Sequence, residues 1–261
     1  MDLINIDNYV SPDNIQAVTN WDKGCAWLAG GTWLFSEPQP QLKTLVDMQQ
    51  LGWSEIEILD DYLAIGATCT LVKLLEYNCP KEWIASKGFR SAIASLAASS
   101  KVINVATVGG NICLALSVGT LAPLMIALNA KYELWNCRGE SRQVAAKGFQ
   151  IGHRQTILEA GEVLRRVLIP LSSLIWKVDF QRFGIAASDP ALAIAVCVFD
   201  NVNLRMKVVI GASVAAPLLL EFDGDMTSLI SNLENVNFID DARATATYRR
   251  EITRVLIKKF F

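Results

Sequence analysis

Residues 101–131 read KVINVATVGGNICLALSVGTLAPLMIALNAK, and they decide how the rest of the chain is interpreted. Between the two terminal lysines there is no charged side chain. A run of this length is long enough to span a bilayer. Against a span stand Asn104, Thr107, Asn111, Ser117, Thr120 and Asn129, with Gly109-Gly110 and Pro123 breaking any single helix. The expectation is a buried loop followed by a buried helix over 121–128. In the middle, Thr107-Val108-Gly109-Gly110-Asn111 places a glycine pair between small polar side chains. Far upstream, Leu28-Ala29-Gly30-Gly31-Thr32 repeats the arrangement. Adjacent glycines admit a ligand close to the backbone and turn N–H groups outward. Each pair follows an apolar run and opens onto residues able to start a helix. Two such loops suit the two ends of one anionic ligand, and backbone donors without side-chain bulk suit a pyrophosphate. The residues alone point to a dinucleotide or a similar ligand.

Working outward, Ser11-Pro12-Asp13 reads as a helix start carrying Ile15 and Val18 and ending near Lys23-Gly24. Residues 25–28 and 44–48 read as short buried strands. Residues 56–59 and 62–65 flank Asp60-Asp61 as a hairpin. Thr70 caps a helix through Tyr77, and the alanine-rich residues 88–100 form another with Phe89 and Ile93 on one face. Residues 131–136 and 141–145 form a second hairpin, and 162–169 a strand ended by Pro170. Beyond a boundary at 170–173 the pattern changes to an antiparallel meander over 176–183, 191–199 and 204–213. Helices over 225–233 and from 241 onward close the chain. Strands followed by helices within each part make the fold class α+β rather than alternating βα units. The expected domains are 1–170, with a subdomain split near 55–60, and 171–261.

The chain has 261 residues, of which 52% are hydrophobic and 19% charged, enough apolar material for a sizeable core. A formal net charge of −2 and the absence of a basic tract argue against nucleic acid as a partner. The N-terminus has acidic residues and no apolar signal region, so a cytoplasmic location is expected. Six scattered cysteines form no CxxC pair and are expected to be free, buried thiols, not a zinc or iron–sulfur site. The single histidine, His153, lies in a polar stretch and is expected to be an ordinary loop residue, so no catalytic site residue is assigned. GxSxG, HExxH, GxxxxGK[ST] and GxGxxG are all missing.

In order, LAGGTWLF, TLVDM, YLAIGATCTLVKLLE, INVATVGGNICLA, LAPLMIALNAKYEL, EVLRRVLIP, FQRFGIAASDPALAIAV and ATATYRREITRVLIKK resemble the FAD-binding medium subunit of molybdenum hydroxylases. That is the xanthine and carbon monoxide dehydrogenase family, and the likeness covers nearly the whole chain. The resemblance implies a two-subdomain FAD-binding domain of the PCMH/VAO type, then a C-terminal domain with a three-stranded antiparallel sheet and helices. It implies non-covalent FAD, held by Leu28, Ala29, Gly30, Gly31, Thr32 and Trp33 and by Thr107, Gly109, Gly110, Asn111 and Thr120, with Ile103 and Leu164 near the flavin. It further implies an iron–sulfur subunit with [2Fe–2S] clusters and a molybdopterin-binding large subunit as partners, with NAD or another molecule as electron acceptor. This chain would then relay electrons.

The sequence departs from the family pattern at Trp33, where Asp or another polar residue is usual. It departs again at Ser117, Gly119 and Thr120, where the family has Pro and then Ser-Asp. After the first-strand Phe of the C-terminal part it has Phe180-Gln181-Arg182, and it lacks the extra cysteine-bearing insertion of some relatives. The lost aspartate at Thr120 favours an alternative, a degenerate scaffold or assembly subunit with weak or no FAD. A free-standing flavin oxidase is the third reading. Such enzymes often tether FAD through His or Cys, and no His lies near either glycine pair.

Overall fold

The computed structural model describes residues 3–220 and 225–261. Residues 1–2 and 221–224 fall within the expected first and last domains but lie outside the described residues. Strands β1 (Asn8–Val10), β2 (Cys25–Leu28) and β3 (Thr44–Asp47) form a parallel sheet in the order β1-β3-β2. Leu28 on β2 and Leu45 on β3 pack with Leu42 in a small core of their own. The helix expected after Ser11 does not form. Asn14 instead caps a single 3-10 turn over Ile15–Ala17, its side chain accepting from the Ala17 amide. The following Val18-Thr19-Asn20 lose rotamer freedom in a helix or compete for its backbone, which ends it at once. Ile15 and Val18 are buried as expected.

Hairpin β4 (Ile56–Leu59) and β5 (Tyr62–Gly66) turns through Asp60, which takes a left-handed φ of 50°. Helix α1 (Leu71–Glu76) is capped by Thr70, which accepts from the Lys73 amide. Helix α2 (Lys87–Ala94) buries Phe89 and Ile93 but stops well short of Ser100. Ala97 at φ 37° breaks the run, and Ser99 caps a separate α3 (Ser100–Val105). Helices α4 (Val108–Cys113) and α5 (Leu121–Ala127) follow. Every residue of α5 is buried, as an all-apolar helix requires. Strands β6 (Lys131–Trp135) and β7 (Ser141–Ala145), the small hairpin β8 (Gln150–Gly152) and β9 (Gln155–Thr156), and β10 (Val163–Pro170) complete this part. A five-stranded antiparallel sheet has the order β4-β5-β10-β6-β7, so the last strand inserts at the centre.

After a short α6 (Leu171–Leu174) come β11 (Lys177–Phe183), β12 (Ala193–Asp200) and β13 (Arg205–Gly211), the expected meander. A further strand, β14 (Leu218–Leu220), pairs with β13, so the sheet has four strands rather than three. Helix α7 (Met226–Asn232) is capped by Asp225. Helix α8 (Ala246–Lys258) begins at Ala246, not at Asp241. Residues Asp241 to Ala244 form a turn in which the Asp241 carboxylate accepts from the Arg243 and Ala244 amides, and Thr245 is the true cap.

Strand β12 divides its two faces between two cores. Ile194, Val196 and Val198 join the main core, which includes α2, α4, α5 and the five-stranded sheet. Ala193, Ala195 and Cys197 pack with Leu229, Leu256 and Ile257 of α7 and α8. Period-two alternation of a strand makes this sharing possible. Arg249 of α8 is buried. It donates to the carbonyls of Leu192 at 2.9 Å and Ala212 at 3.2 Å and pairs in two contacts with Asp241 at 2.8 and 2.9 Å. Burial raises the Asp241 pKa, but the hydrogen bonds from Arg249 and two amides outweigh it and hold the carboxyl below its ordinary range. None of the helices is long and apolar enough to cross a membrane among the described residues. The cysteines are free there; Cys69 and Cys197 are buried and the other four only half-buried, a correction to the expected burial of all six.

Candidate functional site

Both glycine pairs open onto one cleft of about 490 Å³. Its lining includes Ala29, Gly30, Gly31, Thr32 and Trp33 from the first pair, and Thr107, Gly110 and Asn111 from the second. That volume lies within the roughly 300–1,000 Å³ range of small-molecule sites. A smaller apolar recess of about 90 Å³ shares Trp27, Ala29, Gly110 and Cys113 with it and reaches Gly109 and Leu164. Leu28 is buried in the small core behind the first pair, Ile103 is half-buried against the main core, and Thr120 is fully buried at the start of α5. None of these three lines either cavity.

The second glycine pair is not a free loop. Thr107 is the N-cap of α4 and its Oγ1 accepts from the Gly110 amide at 3.0 Å, so the glycines occupy the first helical turn. The Val108 amide donates to the Cys69 carbonyl at 2.9 Å and the Gly109 amide to the Ala67 carbonyl at 2.8 Å. The expected row of outward N–H donors is therefore already engaged here. A Cβ on Gly109 would sit 2.7 Å from Ala67 backbone and side chain, whereas one on Gly110 would meet only Thr107 Oγ1 at 2.9 Å. Gly109 packs the helix against the chain leaving β5. Gly110 leaves room in the cleft.

The first pair differs. Among the described residues, no backbone carbonyl accepts from the amides of Gly30, Gly31 or Thr32. Gly31 has φ 66°, where an L side chain is strained. The neighbouring Gly30 lies so close to Val105 that a Cβ would stand 2.1 Å from its carbonyl oxygen. That contact brings the end of β2 against the end of α3 and so joins the parallel sheet to the rest of the cleft.

Two buried polar atoms on the cleft lining have no protein partner among the described residues: Trp33 Nε1 and Asn111 Oδ1. Native interiors satisfy such atoms, so a donor and an acceptor without partners fit a polar ligand. Arg154, at the β8–β9 turn, is the one charged side chain on the lining among the described residues. Sequence reading missed it, as it missed Cys113 and the Pro190-Ala191 segment from the C-terminal part, which also line the cleft. That segment is tied down by arginines. Arg243 donates to the Pro190 carbonyl, Arg182 to Asp189, and Arg249 to Leu192.

Among the described residues, the ionisable side chains on the two cavities besides Arg154 are Cys113 and Glu162. Burial pushes the Cys113 thiol up to about 12, so it stays neutral and does not behave as a nucleophile. Glu162 at the recess is bonded twice to Arg142, at 2.7 and 2.6 Å, and this guanidinium outweighs burial to hold the carboxyl below its ordinary range. The Glu162 carbonyl accepts from Trp27 Nε1 at 3.2 Å, which fixes that ring between the two cavities. His153 faces solvent, with its Nδ1 3.3 Å from the Ser117 amide, as an ordinary loop histidine should. No cluster of metal-ligating side chains exists among the described residues.

Fold and cleft thus define an α+β domain with a ligand-sized cleft onto which both glycine segments open. Residues 5–172 match the family described as "FAD binding domain in molybdopterin dehydrogenase", and the chain belongs to that family. It carries an FAD-binding domain of an oxidoreductase family. The chain is similar to the xanthine dehydrogenase FAD-binding subunit of Escherichia coli O157:H7, with 25% identity covering 89% of this chain and 86% of that one. It is 29% identical to xanthine dehydrogenase 1 of Arabidopsis thaliana over 50% of this chain but 10% of the longer protein. The chain therefore spans only about a tenth of the length of the first curated relatives it matches. A chain of reconstituted CO dehydrogenase from Oligotropha carboxidovorans shares the fold with a TM-score of 0.87, covering 99% of this chain and 97% of that chain at 22% identity.

Proposed function

We propose that the chain is the flavin component of a multi-subunit molybdenum hydroxylase, relaying electrons from iron–sulfur clusters on one partner to a terminal acceptor. The carrying observation is the cleft itself. It unites the two glycine segments and, among the described residues, offers unpartnered polar atoms at Trp33 and Asn111 and a single charged side chain, Arg154. Bound FAD would supply one- and two-electron transfer, which the side chains here cannot. The free amides of Gly30, Gly31 and Thr32 would hold the pyrophosphate, and Gly110 would keep the approach open. Asn111 and Trp33 would fix polar edges of the cofactor. The apolar recess ending at Leu164 would exclude water from its ring. Leu28, Ile103 and Thr120 would act only through the walls they support. The FAD-binding part would be 1–170, divided near 55–60 where the parallel sheet gives way to β4, and 171–261 would form the C-terminal domain.

The molybdopterin and [2Fe–2S] centres would sit on partner subunits, as the name of the Escherichia coli relative supports by calling it a FAD-binding subunit. NAD is one candidate for the acceptor, and a cytoplasmic complex accords with the free cysteines. The scaffold alternative rested on the lost aspartate at Thr120, and that side chain is fully buried outside the cleft lining. The test is purification with FAD, followed by a visible spectrum, acid precipitation, and co-expression with candidate iron–sulfur and molybdopterin subunits. The expected result is a yellow protein that releases its flavin to the supernatant, reduces it with a chemical donor, and oxidises an organic substrate only in the complex. A colourless chain that cannot be reconstituted, or substrate turnover by the lone chain, sinks the relay reading.

A further inference from the structure

The cleft is nearly neutral, yet a dinucleotide brings a diphosphate. We infer that Arg154, stacked on Trp33, is the counter-charge for that diphosphate and that the pair forms a phosphate-reading entrance to the cleft. The inference rests on the FAD reading above and adds to it the residue that recognises charge.

Four observations support it. Among the described residues, Arg154 is the one charged side chain of the cleft lining. Its guanidinium lies 5.7 Å from the centroid of the Trp33 ring, within cation–π range. The backbone places it there deliberately: residue 154 takes φ 57°, and its amide donates to the Ala115 carbonyl at 2.8 Å, which fixes the β8–β9 turn against the segment after α4. Trp33, beneath it, has a buried Nε1 without a protein partner, so ring and guanidinium together offer donors to an anionic oxygen. Guanidinium groups match phosphate geometry with two parallel N–H donors.

The existing partner of Arg154 is weak. Glu37 Oε2 stands 3.8 Å from Nη1, and both side chains are 48% exposed. Exposed pairs at such distances contribute little, so Glu37 does not neutralise the guanidinium against a stronger anion. Adding the diphosphate would draw the guanidinium from Glu37 and leave that carboxylate as a repulsive neighbour. Removing the carboxylate should therefore tighten binding.

The experiment compares FAD with riboflavin, which has the same ring and no phosphate. Affinities are read from flavin and Trp fluorescence in the full chain. Arg154→Gln should weaken FAD about tenfold, leave riboflavin unchanged, and flatten the dependence of FAD affinity on salt; Arg154→Lys should recover part of the loss. Glu37→Gln should tighten FAD. Melting curves of the cofactor-free variants control for folding. Unchanged FAD affinity in Arg154→Gln, or an equal loss for riboflavin, overturns the inference. A wild-type chain that binds neither FAD nor ADP overturns the cofactor reading and this inference with it.

Discussion

Gly30-Gly31 follows a strand of the parallel sheet, while Gly109-Gly110 lies inside the first turn of a helix. The two pairs look alike in sequence, each after an apolar run and beside a threonine or asparagine. Their backbones are used differently. The first keeps the amides of Gly30, Gly31 and Thr32 free of backbone acceptors and bends through a positive φ at Gly31. The second has given its amides to Ala67 and Thr107, as the preceding Val108 gives its own to Cys69. In the first pair both positions exclude a side chain, Gly30 by the Val105 carbonyl and Gly31 by its positive φ and the Phe35 ring, whereas in the second only Gly109 is packed against backbone. A glycine doublet therefore does not by itself announce an anion cradle; the neighbours' carbonyls decide whether the donors remain available.

The largest effect expected from breaking this comparison is at Gly30. Gly30→Ala would place a methyl 2.1 Å from the Val105 carbonyl oxygen, backbone against backbone, with no flexible end to move aside. A loss of about 3 kcal/mol or more is expected, from overpacking with a backbone shift, measured by urea or thermal unfolding. Stability near that of the wild type would show that the sheet and α3 are not held together there. Next is Gly110→Val. Its Cβ meets only the Thr107 hydroxyl, so the fold should survive while the cleft narrows. A fall in FAD affinity of about 30-fold, roughly 2 kcal/mol, is expected at nearly unchanged melting temperature. A folded variant with wild-type flavin content would remove α4 from the site. The smallest effect is at Thr107. Thr107→Ala deletes the cap on the Gly110 amide and should cost about 1 kcal/mol of stability. Because that amide already serves the helix in the native chain, FAD binding should change little. A large loss of affinity instead would mean that the two glycine pairs are more alike than their hydrogen bonds show.

Much of this was legible from local pattern. The strands at 25–28 and 44–47, both hairpins, the buried α5 and the meander follow from alternation, turn residues and uniform apolarity. Thr70 caps where it was expected to, while Thr107, expected in a loop, caps a helix and draws the second glycine pair into its first turn. What local pattern missed was set by tertiary contact. Strand β1 is three exposed residues, Asn8-Tyr9-Val10, whose only claim to a strand is the partner β3. Strand β14 likewise exists through β13. Arg154 and the Pro190-Ala191 segment reach the cleft from far along the chain. An arginine in a polar stretch, or a proline in a loop, carries no periodic signal of such a position.

Strand β12 has a bearing on inheritance. Its Ile194, Val196 and Val198 face one core while Ala193, Ala195 and Cys197 face the other. The match to the family ends at residue 172, and a gene fusion or crossover placed there looks harmless along the chain. In space it is not, because every donor of a new C-terminal half must supply side chains that fit the recipient's α5 as well as its own α8. Chimeras joined at that point should be selected for compatibility at the β12 face turned toward α5, and the two halves of such proteins should diverge together rather than shuffle as separate modules.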